Sequence, residues 1–166
     1  MMESYEILES TGVATRDMFE NLLPSSERRA KGPYIVMECY EEIPCNPCVT
    51  SCKFGAVQME ELNKCPHVDY EKCVGCANCV SHCPGLACFM INETVGDGKI
   101  DITFPYELKP VPAKGDIVNA LDRKGAVVGK AEIVRVLSGP RMDHTNVITM
   151  RVDQELIYDA RNISLE

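Results

Sequence analysis

CVGCANCVSHCPG, residues 73–85, sets Cys73, Cys76, Cys79 and Cys83 at the spacing C-x2-C-x2-C-x3-C-P. Thiolates three residues apart on a curling loop converge on adjacent corners of one iron–sulfur core. Their backbone N–H groups stay free to face its sulfides. Gly75 lets the loop wrap tightly, because no Cβ stands in the way. Pro84 holds Cys83 extended and turns that thiol away from its own loop, toward a second site.

Upstream, IPCNPCVTSCKFGAV at residues 43–57 offers three thiols, Cys45, Cys48 and Cys52. The segments CVTSCKFGAV (48–57) and CVSHCPGLAC (79–88) share a Cys, three spacers, a second Cys and then a Gly with an Ala close behind, so two related half-units are expected. The downstream spacing is similar to that of bacterial two-cluster ferredoxins, and the resemblance implies that the fourth Cys of each motif ligates the other motif's cluster. Cys48 and Cys52 then match the third and fourth positions and Cys45 the second, while the first falls on Glu42. Cys39 and Cys65 are the two candidates to replace it. Cys39 is preferred, because it ends an apolar run from which the chain can wrap the cluster through YEEIP (40–44). The expected sets are Cys39, Cys45, Cys48 and Cys83 for cluster 1, and Cys73, Cys76, Cys79 and Cys52 for cluster 2, giving two [4Fe-4S] clusters. Cys65 and Cys88 are left over and are read as small buried hydrophobes.

Other metal sites could draw on the same residues. Structural zinc on the pairs Cys45/Cys48 and Cys73/Cys76 leaves Cys52, Cys79 and Cys83 without a role. A single cluster, with the first site degraded or three-iron, is the other metal alternative. His82, beside Cys83, is expected to be neutral or supporting rather than a ligand, and His67 and His144 to be ordinary loop residues. Lys53 stands where the downstream motif has Pro84, and a cation there would stabilise a reduced cluster and raise its potential.

The remaining composition narrows the classes. With 166 residues and 45% apolar side chains, the chain can build a core. Ten cysteines in a secreted protein would suggest disulfides, but MMESYEILES has neither a basic start nor an apolar h-region, so a cytoplasmic location is expected. No apolar run approaches the roughly 18–20 residues that span a bilayer, so no direct membrane insertion is expected. The formal charge of −8 lies entirely in the first hundred residues: 4 basic and 7 acidic over 1–38, 3 and 8 over 39–98, 10 and 10 over 99–166. An acidic docking face is expected around the cysteines, and a nucleic-acid surface is disfavoured. Dinucleotide, nucleoside-triphosphate and G-x-S-x-G fingerprints are absent from the sequence, so no catalytic residue is assigned and an enzyme acting alone is not expected.

The organisation reads as an α+β chain in three parts. Residues 1–32 form a helical extension, in which Thr15 caps a short helix carrying Met18, Phe19, Leu22 and Leu23 and stopped by Pro24. Residues 33–105 form the ferredoxin-like domain, with a strand over YIVMEC (34–39) and a hairpin turn at Asp97-Gly98. Residues 106–166, after the proline-rich PYELKPVPAKGD, form a small antiparallel β-sheet or barrel. Its strands are GDIVNAL, AVVGKAEIVRVL and NVITMRV, with a tight turn at DRKG (122–125) and a last short helix near DQELIYDARN capped by Asp153.

Residues 33–92 resemble the bacterial 2[4Fe-4S] ferredoxin domain, most closely in VDYEKCVGCANCVSHCPGLA. The longer pattern GPYIVMECYEEIPCNPC, followed by the β-rich segment, resembles the small iron–sulfur subunits of FAD-dependent amine or amino-acid dehydrogenases acting on proline, hydroxyproline or D-amino acids. The resemblance implies an electron-transfer subunit in a hetero-oligomer, with FAD on partner subunits and not on this chain. A free-standing ferredoxin with an appended β-domain, and a non-redox metal-stabilised binding module, are the alternatives.

Overall fold

Three short helices, α1 (Met2–Thr11), α2 (Arg16–Glu20) and α3 (Ser26–Arg29), precede β1 (Tyr34–Met37) in the computed structural model, which describes residues 2–166. β1 is buried along its whole length because each of its faces meets a different core. Tyr34 and Val36 enter a core shared with the C-terminal strands, whereas Ile35 and Met37 enter a second one that holds Cys48, Cys73, Cys79 and Cys88.

The cysteine loops carry α4 (Pro47–Thr50), the small pair β2 (Val57–Gln58) and β3 (His67–Val68), and α5 (Asn78–His82). β4 (Cys88–Asn92) returns antiparallel to β1, pairing Tyr34 with Ile91 and Met37 with Cys88. β5 (Lys99–Tyr106), β6 (Ile117–Leu121), β7 (Val127–Leu137), β8 (Asn146–Asp153) and β9 (Asn162–Ser164) complete one seven-stranded antiparallel sheet, in the order β1-β4-β5-β8-β7-β6-β9. The α+β class is observed.

Turn chemistry explains the connections. Asp97 and Gly98 both take positive φ, 55° and 66°, and the Lys99 N–H donates to the Gly96 carbonyl, the geometry of a tight hairpin turn. In DRKG, the Asp122 carboxylate accepts from the N–H groups of Lys124 and Ala126, and Gly125 adopts φ 80°.

Three expectations change in detail. The boundary drawn at 105/106 falls inside β5, and the sheet runs across it: β5 pairs with β4 on one side and with β8 on the other. The last helix is a single 3-10 turn, Gln154–Ile157, and the chain then adds β9 beside β6; Asp153 makes no side-chain cap there. Thr15 occupies the cap position of α2, but its hydroxyl bonds the Asp17 carboxylate instead of a backbone N–H. α1 has no counterpart in the sequence reading. Ser4 anchors it, donating to Asp17 at 2.6 Å. No helix among the described residues is long and apolar enough to cross a membrane.

Candidate iron–sulfur centre

The internal repeat is a repeated turn. After Cys52, the Gly55 N–H donates to the Cys52 carbonyl at 3.1 Å and the Ala56 N–H donates to Cys52 Sγ at 3.2 Å. After Cys83, the Leu86 N–H donates to the Cys83 carbonyl at 3.1 Å and the Ala87 N–H donates to Cys83 Sγ at 3.3 Å. The third residue of each turn is left-handed, Gly55 at φ 61° and Leu86 at φ 53°. The second half-unit therefore holds a leucine in a conformation that favours glycine. Each turn delivers one N–H to a sulfur, the hydrogen bond that favours thiolate and tunes a cluster.

Cys52, Cys73, Cys76 and Cys79 line one cavity, with Ile35 and Val57 among its buried walls and the half-exposed Phe54 and Val74 at its rim. The loop between these thiols curls through two left-handed residues, Gly75 at φ 65° and Ala77 at φ 64°. A Cβ on Gly75 would stand 2.7 Å from both Cγ and the carbonyl oxygen of Pro33, so the tight wrap has a definite neighbour. Cys83 is extended, at φ −81° and ψ 109°, as Pro84 requires, and leaves this loop.

Cys45 and Cys83 lie close enough to both Cys39 and Cys48 to raise those two thiols. Burial, then Cys65, Cys83 and Cys45, push the Cys39 thiol up. Burial, then Cys83 and Cys79, push Cys48 up to about 11, with Cys45 adding to the effect. Cys65 adjoins Cys39, and both line a groove beneath α1 and α2. Burial and the nearby Glu42 raise Cys65, against Lys64. Glu42, at the formal first position, is exposed, and both its carboxylate oxygens accept from Lys64 Nζ at 2.9 Å.

Cys88 does more than fill space. It is 1% exposed on β4 and packs with Cys79 and Cys83, one from each proposed ligand set, where its single S–H can donate to either sulfur. Donation to Cys83, with the N–H groups of Ala87, Gly85 and Cys88 and against burial, brings Cys83 down to about 6. Donation to Cys79 lowers that thiol, again against burial. Either bond, together with burial, raises Cys88 itself, so it stays a neutral donor. Its position in the apolar run LACFMI conceals this role; its packing with Cys79 and Cys83 reveals it.

Arg28 is a second residue that motif reading misses. Its guanidinium donates to the carbonyls of Tyr70, Gly32, Pro33 and Cys73 at 3.0, 3.2, 2.9 and 2.6 Å, and so ties α3 to the start of the Cys73 loop. Tyr70 returns the contact, its hydroxyl donating to the Leu22 carbonyl at 2.6 Å. The N-terminal extension thus packs against the cysteine loops. Lys53 is exposed, where solvent and salt screen its charge, so it makes little claim on the Cys52 site. His82 Nδ1 lies 2.9 Å from both the Asn78 carbonyl and Ser81 Oγ, while His67 and His144 are exposed.

The donor set fits iron–sulfur cores. Among the described residues no three Cys, His, Asp or Glu side chains converge on one point, as a mononuclear zinc site requires. The N–H groups aimed at Cys52 and Cys83 Sγ suit thiolates that hold an iron–sulfur core.

Residues 66–88 match the family described as 4Fe-4S binding domain. A further match is to the beta subunit of a dissimilatory-type sulfite reductase from Archaeoglobus fulgidus, 44% identical over 48 residues, 29% of this chain and 13% of that subunit. The chain thus spans a small part of the curated relative it matches. No solved structure gives a significant match. The chain carries a 4Fe-4S domain of the ferredoxin type, an iron–sulfur electron-transfer module.

Proposed function

We propose that the protein is the iron–sulfur subunit of an FAD-dependent amine or amino-acid dehydrogenase complex. In this reading it carries electrons through two [4Fe-4S] clusters to or from flavin-bearing partner subunits. The duplicated turn, in which Cys52 and Cys83 each receive the N–H of an alanine four residues on, is the observation that carries the two-cluster part. A single-cluster domain needs one such turn. The ligands are Cys39, Cys45, Cys48 and Cys83 for one site, and Cys73, Cys76, Cys79 and Cys52 for the other. When bound, the clusters accept and release single electrons. The chain's residues place the thiolates, supply N–H donors to sulfur and keep Ile35, Val57 and Val80 packed between the sites and the sheet. The flavin partner rests on the resemblance of GPYIVMECYEEIPCNPC (32–48) and the C-terminal β-rich segment, and the subunit role of the sulfite reductase relative supports placement in a larger assembly.

Anaerobic affinity purification of the tagged protein from its own cells, with iron, sulfide, flavin and partner identities measured together, tests both parts. Roughly eight irons with a stoichiometric flavoprotein are expected. The same iron without a partner would favour a free ferredoxin. Cys39→Ser should lose about half the iron and Cys65→Ser none; the reverse result would transfer the fourth ligand of the first site to Cys65.

A further inference from the structure

Glu38, Arg123 and Arg161 form a buried charge cluster directly behind the first cysteine of the chain. Continuing the alternation of β1 places Glu38 on the side of the C-terminal core and Cys39 on the side of the cysteines. The Glu38 carboxylate is almost buried and accepts from Arg123 Nε and Nη2 at 2.7 and 2.8 Å and from Arg161 Nε at 2.5 Å. Arg161 comes from the chain just before β9, and its side chain is 4% exposed. Its Nη1 donates to the carbonyls of Ile157 and Ala160, and its Nη2 is buried with no hydrogen-bond partner among the described residues. The guanidinium carbon sits 4.5 Å from the ring centroid of Phe19 and 5.3 Å from that of Phe89.

Two guanidiniums against one carboxylate leave one net positive charge. Arginine keeps its proton even when buried, so that charge persists at all working pH values. The acidic residues on the far side of Cys39, Glu41 among them, oppose it from solvent. Glu41 is exposed to solvent, and Glu42 is both exposed and paired with Lys64. Exposed charges are screened, whereas buried ones act at lower effective dielectric. A reduced cluster is one charge more negative than an oxidised one, so a buried cation favours reduction at the nearer site.

We propose that Arg161 and Arg123 act as positioning residues for charge, making the site of Cys39, Cys45, Cys48 and Cys83 the higher-potential of the two. The electron then rests at that site, beside the groove under α1 and α2. This inference rests on the two-cluster reading above. The event is the uptake of one electron, with no bond made and no proton moved, supplied by the flavin partner in the complex and by a chemical reductant through mediators in the test.

The test is an anaerobic redox titration of the full iron-loaded chain followed by EPR, with iron counted first. The Cys39-site signal is assigned as the one altered by Cys45→Ser. Arg161→Gln should lower the midpoint of that signal by about tenfold in the reduced-to-oxidised ratio at fixed potential, equivalent to about 59 mV for one electron. Glu38→Gln should raise it by a similar factor, Arg161→Lys should restore it, and the Cys73-site signal should move less in every variant. Both glutamine variants disrupt the Arg161–Glu38 contact but change the local charge in opposite directions, so a purely structural role would shift the signal in one direction for both. Shifts of the same sign, no shift, or a larger shift at the Cys73 site would overturn the proposal. Should Arg161→Gln fail to fold, Arg123→Gln, at the rim of the cluster, makes the same charge test. About four irons in the parent protein would instead overturn the two-cluster reading, a result visible before any titration begins.

Discussion

Replacing Gly75, Gly55 and Gly85 in turn by alanine should cost very different amounts, although all three lie in cysteine loops. Gly85 is not at positive φ and an added Cβ would meet nothing within 4 Å, so Gly85→Ala should be neutral or stabilise by up to about 1 kcal/mol through the unfolded chain. Gly55 also has open space but sits at φ 61°, so its substitution should cost only the left-handed penalty, about 1–2 kcal/mol. Gly75 carries the same penalty at φ 65° and adds the overlap with Pro33 at 2.7 Å. The Pro33 carbonyl cannot step aside freely, because Arg28 Nη2 holds it at 2.9 Å while the same nitrogen holds Cys73. Overpacking of this kind costs about 1–3 kcal/mol, for a total of about 2–5 kcal/mol. For a chain of this size that is a fall of roughly 5–20 °C in the melting midpoint, against roughly 2–8 °C for Gly55→Ala. Anaerobic melts of the iron-loaded variants measure the series, and iron content reports whether the loop between Cys73 and Cys76 still closes on its site. A Gly75→Ala protein with the iron content and midpoint of Gly85→Ala would refute the close approach to Pro33 and the loop geometry built on it.

Arg28→Ala should destabilise by about 3 kcal/mol and speed chelator release of the iron held by the Cys73 site, since four carbonyls lose a charged donor. Arg28→Lys should not rescue it, because an ammonium cannot reproduce the fork. Cys88→Ala should keep about eight irons and lower both midpoints in the EPR titration, because the thiol packs with Cys79 and Cys83 and its S–H can donate to the sulfur of either site. Glu93→Gln should cost about 2 kcal/mol at pH 7, where the carboxylate accepts from Arg29 at 2.7 Å and from Tyr34 at 2.5 Å. Burial alone would raise this carboxyl, but those bonds and the Arg29 charge outweigh it, so its folded value lies below its unfolded one. Its contribution is therefore complete above about pH 4.3 and is lost as pH falls through the lower, folded value. Urea denaturation under anaerobic conditions should give the same penalty at pH 7 and 5, shrinking only below that range.

The parts of the site legible in the sequence are those fixed by local spacing. C-x2-C-x2-C-x3-C gave the Cys73 loop, Gly75 gave its wrap, Pro84 gave the extended Cys83, and Asp97-Gly98 and DRKG gave their turns, because each depends on a few consecutive residues. The duplicated cysteine turn was visible as a repeat, although Leu86 in the place of Gly55 disguised its left-handed position. What stayed hidden depends on long-range pairing. Cys88 reads as one more apolar residue of a strand until β4 is laid against α5, and Arg28 and Arg161 read as scattered surface charges until their carbonyl and carboxylate partners are brought in from 42 and 123 residues away. β9 lies past the helix expected near DQELIYDARN and carries no signal of its own, because three residues are too short for a period to show, and β6 supplies the edge that makes them a strand.

The continuity of the sheet changes what the C-terminal third is for. Had residues 106–166 formed a separate module, the two sites would be surrounded by their own loops alone, and the β-strands would matter only to a partner. Instead β1 and β4 form a wall with cysteines on one side and the C-terminal core on the other, and the strands beyond contribute to both sides. Val147 of β8 packs in the same cluster as Cys48, Cys73, Cys79 and Cys88. Arg123 from the β6–β7 turn and Arg161 from the segment before β9 close on Glu38, next to Cys39. Burying two guanidiniums for one carboxylate is costly, and hydrophobic side chains of similar volume would often stabilise such a place as well or better. A surplus of buried positive charge is therefore poorly accounted for by stability. It is accounted for by position, since the residue that follows Glu38 in the chain is Cys39, the proposed first ligand of the first site.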